Sequence, residues 1–590
     1  MPSDTSESGL EALIVKGLLD RGYIAGGPKD YDRTYCLDVA QLRAFVEATQ
    51  PKLYAALDLG GSSPTTKQFL ARLDKEVANR GVIDVLRKGV QHNQHDLTLF
   101  YASPSPGNTK AAELHALNRF SVTRQLRYSN DEQQYALDLA IFINGLPVAT
   151  FELKNSLTKQ TAAAAVDQYK GTRDPKEPLF RFGRCVVHFA VDDSEVMMCT
   201  ELKSKASWFL PFNKGYNAGA GNPPNPDGLK TDYLWKQILT PAGLTNILEN
   251  FAQIVEQKNL KTGKKKRVQV FPRYHQLDVV RKVLADVAER GIGRRYLIQH
   301  SAGSGKSNSI AWLAHQLVNV RKTGGDGREV FDSVIIITDR RVLDDQIQKT
   351  IKGFAQVGSI VGHAERSGDL RRFIEGGKKI IISTVQKFPF ILDEIGDEHR
   401  GRQFAIVIDE AHSSQGGKTA SKMSEALAAK TDPDEEEPDP QDTINEALQQ
   451  RMDAKKLLTN ASYFAFTATP KNKTLEMFGE PVPGEEGKTA HVPFHSYTMK
   501  QAIEERFILD VLKSYTPVNS WYKLVKRIED DPYFDIKKAQ KKLRKYVESH
   551  DHAIQLKAEI MVDHFHEHVI AKGKIGGQAR AMVVCGSIER

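Results

Sequence analysis

Tyr296-Leu297-Ile298-Gln299-His300-Ser301-Ala302-Gly303-Ser304-Gly305-Lys306-Ser307 is the stretch that decides how this chain is read. A short apolar run, Tyr296-Leu297-Ile298, passes into a glycine-bearing turn. The turn passes into Ile310-Ala311-Trp312-Leu313, which reads as helix. Strand, glycine turn and helix together form a phosphate cradle: backbone N–H groups close around the anion, the helix N-terminus adds positive potential, and a lysine neutralises the β- and γ-charges. Gly303, Ser304, Gly305, Lys306 and Ser307 are therefore candidate ATP ligands, with the Ser307 hydroxyl suited to hold Mg2+. The strict form of the pattern has glycine at position 300, where this chain has His300.

Downstream, Val334-Ile335-Ile336-Ile337-Thr338, Lys379-Ile380-Ile381-Ile382-Ser383 and Phe404-Ala405-Ile406-Val407-Ile408 are short, continuous and β-branched. Strands buried on both faces of a parallel sheet have this character, so the region from about Phe271 is expected to be a doubly wound α/β domain. Asp409-Glu410 ends one of these strands. Asp409 is suited to hold the metal of a nucleotide, and Glu410 to orient the attacking water. Asp432 to Pro440 is acidic and proline-rich and reads as a disordered insertion.

Upstream, Tyr135 to Ile143 reads as a strand, Asn144-Gly145 as a tight hairpin turn, and Leu146 to Lys154 as the returning strand. Leu10 to Tyr23 and Ala162 to Tyr169 read as helices and Cys185 to Val191 as a third strand. The hairpin brings Asp138 toward Glu152 and Lys154. Two carboxylates can hold Mg2+ against a phosphate, and a lysine can align a water and stabilise developing charge. A loop rich in Gly, Asn and Pro runs from Asn213 to Gly228, and Lys258 to Arg267 is a basic run read as linker, solvated or in contact with DNA.

The chain has 590 residues, too many for one core, with a net charge of +8 that permits a polyanionic partner without requiring one. No apolar run has membrane-spanning length, so no membrane association is expected. The four cysteines, Cys36, Cys185, Cys199 and Cys585, have no zinc-ligand spacing, and a cytoplasmic location fits them best.

Asp409-Glu410-Ala411-His412 and Thr467-Ala468-Thr469-Pro470 resemble motifs II and III of superfamily 2 helicases. Ser383-Thr384-Val385-Gln386-Lys387 resembles a motif that contacts the DNA backbone, and Arg273-Tyr274-His275-Gln276 resembles the adenine-reading segment, with Gln276 as reader. Asp138, thirteen intervening residues, then Glu152-x-Lys154 resembles a PD-(D/E)xK nuclease. Asn118 to Gln125, Trp208 to Gly215, Gly219 to Pro223, Thr338 to Gln346 and Tyr497 to Glu505 resemble the restriction (R) subunit of type I restriction-modification enzymes.

That resemblance implies a nuclease domain at 1–255 (a mixed sheet with flanking helices), a linker at 256–270, a first RecA-like motor domain at 271–475, and a connecting helical region with the start of a second RecA-like lobe at 476–590. Ala581 to Cys585 is the strand expected to open that lobe. Without the lobe's arginine finger, the chain is expected to bind ATP and hydrolyse it poorly. The resemblance also implies an endonuclease that translocates double-stranded DNA with ATP and Mg2+, cutting away from a site recognised by separate modification and specificity subunits. Thr384, Gln386, Thr467 and Thr469 would couple ATP to DNA. Glu11 would assist the nuclease metal. Tyr169 would be the tyrosine of a helper motif whose glutamine position is Ala165, with Gln168 adjacent. The alternative is a superfamily 2 repair translocase whose nuclease-like hairpin only binds DNA.

Overall fold

The computed structural model describes residues 7–131, 135–155, 160–258, 263, 265–325, 327–338, 347, 350–351, 361–364, 367–384, 401–410, 460–484, 488–510, 551–577 and 579–583. The chain divides into two compact units, Met1–Gln501 and Ala502–Arg590.

The first unit contains two seven-stranded sheets. The N-terminal sheet runs in chain order: β1 (Ile24–Gly26), β2 (Phe120–Arg127), β3 (Ala136–Ile143), β4 (Leu146–Leu153), β5 (Val187–Val191), β6 (Val196–Cys199) and β7 (Leu210–Pro211). It is mixed: β1 pairs parallel with β2, β2–β3–β4 is an antiparallel meander, and β5 returns parallel to β4. The β3–β4 turn forms as Asn144-Gly145 predicts. Both residues have positive φ, 50° and 84°, which is what a two-residue hairpin of native twist requires. At Gly145 a Cβ would meet the Asp38 carbonyl at 2.4 Å, so the site excludes any larger residue.

The period-2 alternation of the strands sorts their side chains. Leu139, Ile141, Phe151, Leu153, Val187 and Phe189 enter one core. On the other face Ala140 and Phe142 pack against Ala165, Val166 and Tyr169 of the helix α4 (Ala162–Gly171), the alanines letting helix and sheet approach closely. The first N–H of that helix donates to Asp192 Oδ2 at 2.7 Å, so an acid at the end of β5 replaces the absent side-chain cap. Among the helices preceding α4 are α1 (Glu7–Leu19), α2 (Val39–Thr49) and α3 (Pro64–Arg80).

The stretch 256–270, expected as a linker, is different in the structure. β8 (Gln253–Lys258) and β9 (Lys265–Val270) pair antiparallel along their whole length. Its alternation was hidden because only a few positions face inward: Gln269 donates to the Cys185 and Val186 carbonyls, while the lysines face water.

The second sheet is parallel throughout, in the order β12 (Val361–His363), β13 (Ile380–Thr384), β11 (Ser333–Thr338), β14 (Phe404–Ile408), β15 (Ala461–Thr467), β10 (Arg295–His300), β16 (His495–Tyr497). α6 (Tyr274–Arg290) and α7 (Lys306–Leu317) pack together beside it. The expected strands are all present, and the architecture is the doubly wound α/β fold anticipated. The parallel sheet reaches further than residue 475, because β16 closes its edge beside β10. One core runs through both sheets: Phe271 lies edge-on to Phe189 at 6.0 Å, and Phe251, just beyond α5 (Pro241–Asn250), meets Trp312 of α7 at 5.4 Å.

In the second unit the described residues include the helix α8 (Asp551–Phe565), extended by a wider helical turn over His566–Ile570. Ala581, Met582 and Val583, the described part of the expected last strand, are not in a strand. The acidic stretch Asp432 to Pro440 lies outside the described residues. No helix among the described residues is long and apolar enough to cross a membrane. Cys36, Cys185 and Cys199 are buried free thiols.

Candidate functional site

The N-terminal site is built where β3 and β4 leave their hairpin and α4 covers the sheet. The register that pairs Leu139 with Phe151, carried one step further, sets Asp138 opposite Glu152, on the face that also carries Thr150 and His188. Asp138 Oδ2 accepts from the Leu153 N–H at 2.7 Å, and Gln125 Nε2 approaches Oδ1 at 3.4 Å. Glu152 has no exposed surface. Its Oε1 accepts from Arg173 Nε at 2.6 Å, while Oε2 has no hydrogen-bond partner among the described residues.

Burial pushes the Asp138 carboxyl above the usual range despite the Leu153 N–H. Burial pushes Glu152 up to about 7, with Arg173 opposing and Asp138 adding to the rise. Lys154 stands close enough to lower both. Its ammonium donates to Glu7 Oε1 of α1 at 2.5 Å. The structure thus brings together Asp138, Glu152 and Lys154, and adds Glu7 and Arg173, which sequence reasoning missed. Glu7 is 147 residues from Lys154 in sequence, and only the docking of α1 reveals it.

The other expected participants are placed differently. Glu11 is buried and held by Arg124 and by Gln125 Nε2, at 2.7 Å from the latter, so it reaches Asp138 only through Gln125. Tyr169 is fully buried, its hydroxyl 2.9 Å from Thr150 Oγ1, which in turn meets His188 Nδ1 at 2.7 Å. Burial holds the His188 imidazole neutral, its pKa lowered to about 3. Gln168 makes no side-chain hydrogen bond among the described residues.

Does this set suit a divalent cation? Among the described residues no group of three or more acids, histidines or cysteines is arranged to hold one. Magnesium, however, commonly takes one or two protein carboxylates and completes its shell with water and substrate phosphate. A desolvated carboxylate oxygen with no donor, Glu152 Oε2, is a group whose burial such a cation would compensate. The donor set fits.

The second site lies at the carboxyl ends of the parallel strands, where ligands of such sheets bind. Gly303 and Gly305 have φ of 74° and 80°, the left-handed turn that aims backbone N–H groups into the crevice, and α7 starts at Lys306. A Cβ on Gly305 would strike Gln276 Nε2 at 2.4 Å. Gln276, in the first turn of α6, donates to the Ser304 and Gly305 carbonyls at 3.1 and 3.2 Å and accepts from the Arg273 N–H at 2.9 Å. Its amide is thereby fixed against the loop.

Lys306 is nearly buried, and its ammonium pairs with Glu410 Oε1 at 2.9 Å. Glu410 has φ 55°, a strained conformation for a residue with a side chain. Its N–H donates to Asp409 Oδ1 at 3.0 Å. Ser307 opens α7 beside Lys306, Thr384 ends β13, and Thr467 ends β15, its hydroxyl accepting from the Thr469 N–H at 3.3 Å. Gln386, Ala411 and His412 lie outside the described residues. His300, in place of the usual glycine, is buried with Nε2 2.9 Å from His495 Nδ1, and His495 Nε2 lies 3.0 Å from Asp278 Oδ2. A side chain is tolerated there because position 300 is the last residue of β10 and faces β16.

Two family descriptions match this chain: the type I restriction enzyme R protein N terminus over residues 4–207, and the SWI2/SNF2 ATPase over residues 275–432. Relatives include an endonuclease subunit assigned to the type I restriction enzyme MjaIXP of Methanocaldococcus jannaschii, 23% identical over 78% of this chain and 41% of its own length. The HindI endonuclease subunit of Haemophilus influenzae is 25% identical over 51% of this chain and 28% of its own. The SauMSSORF170P endonuclease subunit of Staphylococcus aureus is 22% identical over 70% and 38%. The chain thus spans well under half the length of these relatives. Among solved structures, the UvsW helicase from bacteriophage T4 is 14% identical over 39% of this chain and 64% of its own, with a TM-score of 0.24, too low to carry an argument. Over the two matched regions, and along much of its length in these relatives, the chain is similar to type I restriction enzyme endonuclease (R) subunits.

Proposed function

We propose that the chain is the motor and cutting part of an ATP-dependent, Mg2+-dependent endonuclease that moves double-stranded DNA and breaks it away from the recognition site. It would work in complex with modification and specificity subunits. The observation that carries this reading is the coexistence, in one compact unit, of the Asp138–Glu152–Lys154 cluster with the Lys306–Asp409–Glu410 crevice.

In the crevice, Gly303–Ser307 would cradle the phosphates of ATP. The ion pair of Lys306 with Glu410 gives the lysine a carboxylate to exchange for phosphate oxygens, releasing Glu410 to orient water. Ser307 and Asp409 would hold the accompanying Mg2+, and Thr384, Thr467 and Thr469 stand at strand ends suited to relay the nucleotide state to DNA. In the cutting site Asp138 and Glu152 would hold Mg2+, which when bound supplies Lewis acidity at the scissile phosphate. Lys154 would leave Glu7 to hold the attacking water and stabilise the charge on the phosphorane.

The test mixes the subunit with its modification and specificity partners and unmethylated circular DNA carrying the target, with Mg2+, with and without ATP. ATP-dependent linearisation supports the coupled reading. ATP hydrolysis without cutting would assign the hairpin to DNA binding in a translocase instead.

A further inference from the structure

We infer that Arg173 is the positioning residue of the cutting site: it immobilises one oxygen of Glu152 so that the other is presented, singly and in a fixed direction, to the divalent cation. This rests on the metal-site reading above and goes beyond it by naming what orients the ligand.

Arg173 lies just past the end of α4 and is 5% exposed. Its guanidinium is fixed at three points. Nε donates to Glu152 Oε1 at 2.6 Å, Nη2 donates to the Ala136 carbonyl at 2.8 Å, and Nη1 lies 3.5 Å from the Tyr128 hydroxyl. The cation also sits over the Tyr128 ring, 5.6 Å from its centroid, and that ring is packed edge-on against Phe180 at 4.7 Å. One planar group therefore ties the first residue of β3 to Glu152 on β4, so the strand carrying Asp138 and the carboxylate on its neighbour are located by the same side chain.

The consequence for Glu152 is asymmetric. Oε1 is taken by a donor that cannot lose its proton. Oε2 is equally buried and has no donor among the described residues. A merely structural ion pair in so dry a place would be expected to satisfy both oxygens, because a half-satisfied buried carboxylate is costly. Leaving one oxygen open is what a ligand atom requires, and outer partners of metal ligands typically change metal affinity by about 10–100-fold when removed. The fork geometry is also specific: a lysine at 173 has a single ammonium and cannot span Glu152, Ala136 and Tyr128 together.

The experiment measures Mn2+ binding to the chain by calorimetry without DNA, together with the Mn2+ or Mg2+ concentration for half-maximal cleavage in the assembled complex. The variants are R173A, R173K and E152Q, each checked for folding by thermal melting and for ATPase activity. The expected result is a rise of about 10–100-fold in the half-saturating metal concentration for R173A. R173K should fall between R173A and wild type, E152Q should lose the binding, and ATPase should be unchanged throughout. Purely structural loss would lower the folded fraction and maximal rate while leaving half-saturation where it was, and that outcome overturns the proposal. Where R173A fails to fold, R173K decides: wild-type metal affinity in a folded R173K overturns the positioning role. If E152Q itself binds Mn2+ as wild type does, the metal-site reading fails, and the proposal with it, in a way distinguishable from failure of Arg173 alone.

Discussion

The proposed cutting site and the proposed ATP crevice use the same pair of charges in different surroundings. Each has a nearly buried lysine held by a more exposed glutamate: Lys154 with Glu7, Lys306 with Glu410. Around Lys306 the ligand is expected to meet backbone N–H groups and a helix N-terminus, elements fixed by the chain path and open to the crevice. Around Lys154 the partners are side chains on a covered sheet face, where Glu152 has no exposure and its charge depends on Arg173. One site is expected to hold its ligand mainly through backbone groups. The other is built from desolvated acids, and its protonation state is part of its design.

The largest effects test whether the two sites are separate. In the full-length subunit assembled with its partners, Lys306→Ala removes the phosphate counter-charge, so both ATP hydrolysis and ATP-dependent cutting should fall, on the order of a hundredfold or more. Lys154→Ala should reduce cutting by a comparable factor while ATPase, followed by phosphate release, stays at the wild-type rate. Equal loss of ATPase in both variants would break the comparison, since it would make the sites one machine at the chemical step.

The pH dependence should differ between the sites in the same way. Glu152 must be ionised to hold a cation, and in the fold it titrates near 7. Below that pH one proton competes for the ligand, so apparent metal affinity should weaken by about tenfold per pH unit. Stability carries the opposite sign: a carboxyl raised in the fold stabilises it when protonated, and that contribution is lost as pH rises through the folded value. In metal-free buffer the melting temperature should therefore decline as pH rises from the ordinary carboxyl value of 4.5 to about 7 and level off above it, and added Mn2+ should recover it. A cleavage-site metal affinity flat across that range would remove the distinction between the sites.

Legibility followed the same division. The parallel strands of the motor were readable because buried β-branched runs have few other uses, and Gly303 to Ser307 carried their own context. The hairpin was readable from Asn144-Gly145, since few dipeptides accept two positive φ values. What the sequence concealed were contacts made by side chains from elsewhere. Arg173 meets Glu152 only because α4 turns back over β4, and nothing in the local pattern after Tyr169 marks it. His495 joins His300 across 195 residues because β16 adds an edge strand to the motor sheet. The ribbon over 253–270 was missed because its lysines suggest a solvated tether, and few of its residues pack inward: Gln269 on carbonyls, Ile254 and Val270 only partly buried against the core.

Smaller effects sharpen how rigidly the hairpin presents its acids. Gly145→Ala combines a left-handed φ with contacts of 2.4 Å to the Asp38 carbonyl and 2.7 Å to Leu42. It should cost about 2–3 kcal/mol in denaturant unfolding. Because the turn sets the β3–β4 register, cutting should suffer while nucleotide binding does not. Unchanged stability would mean that α2, which carries Leu42, can withdraw from the turn, so that the turn does not fix the strands.

The smallest expected effect lies on the ribbon. Lys265 pairs with Glu256 at 2.9 Å, but both side chains are well over half exposed, and an ion pair held in water contributes little. Lys265→Ala should therefore shift stability by less than about 0.5 kcal/mol, in contrast to the buried pair at Glu152. The same variant separates solvated surface from DNA contact. A lysine that neutralises a phosphate adds close to one unit to the slope of log affinity against log salt, whatever the sequence bound. An unchanged slope leaves the ribbon as a solvated brace against the N-terminal sheet. A slope lower by about one would extend the DNA path over the N-terminal sheet, and the contrast between a backbone-built site and one built from side-chain acids would then hold only at the candidate catalytic groups.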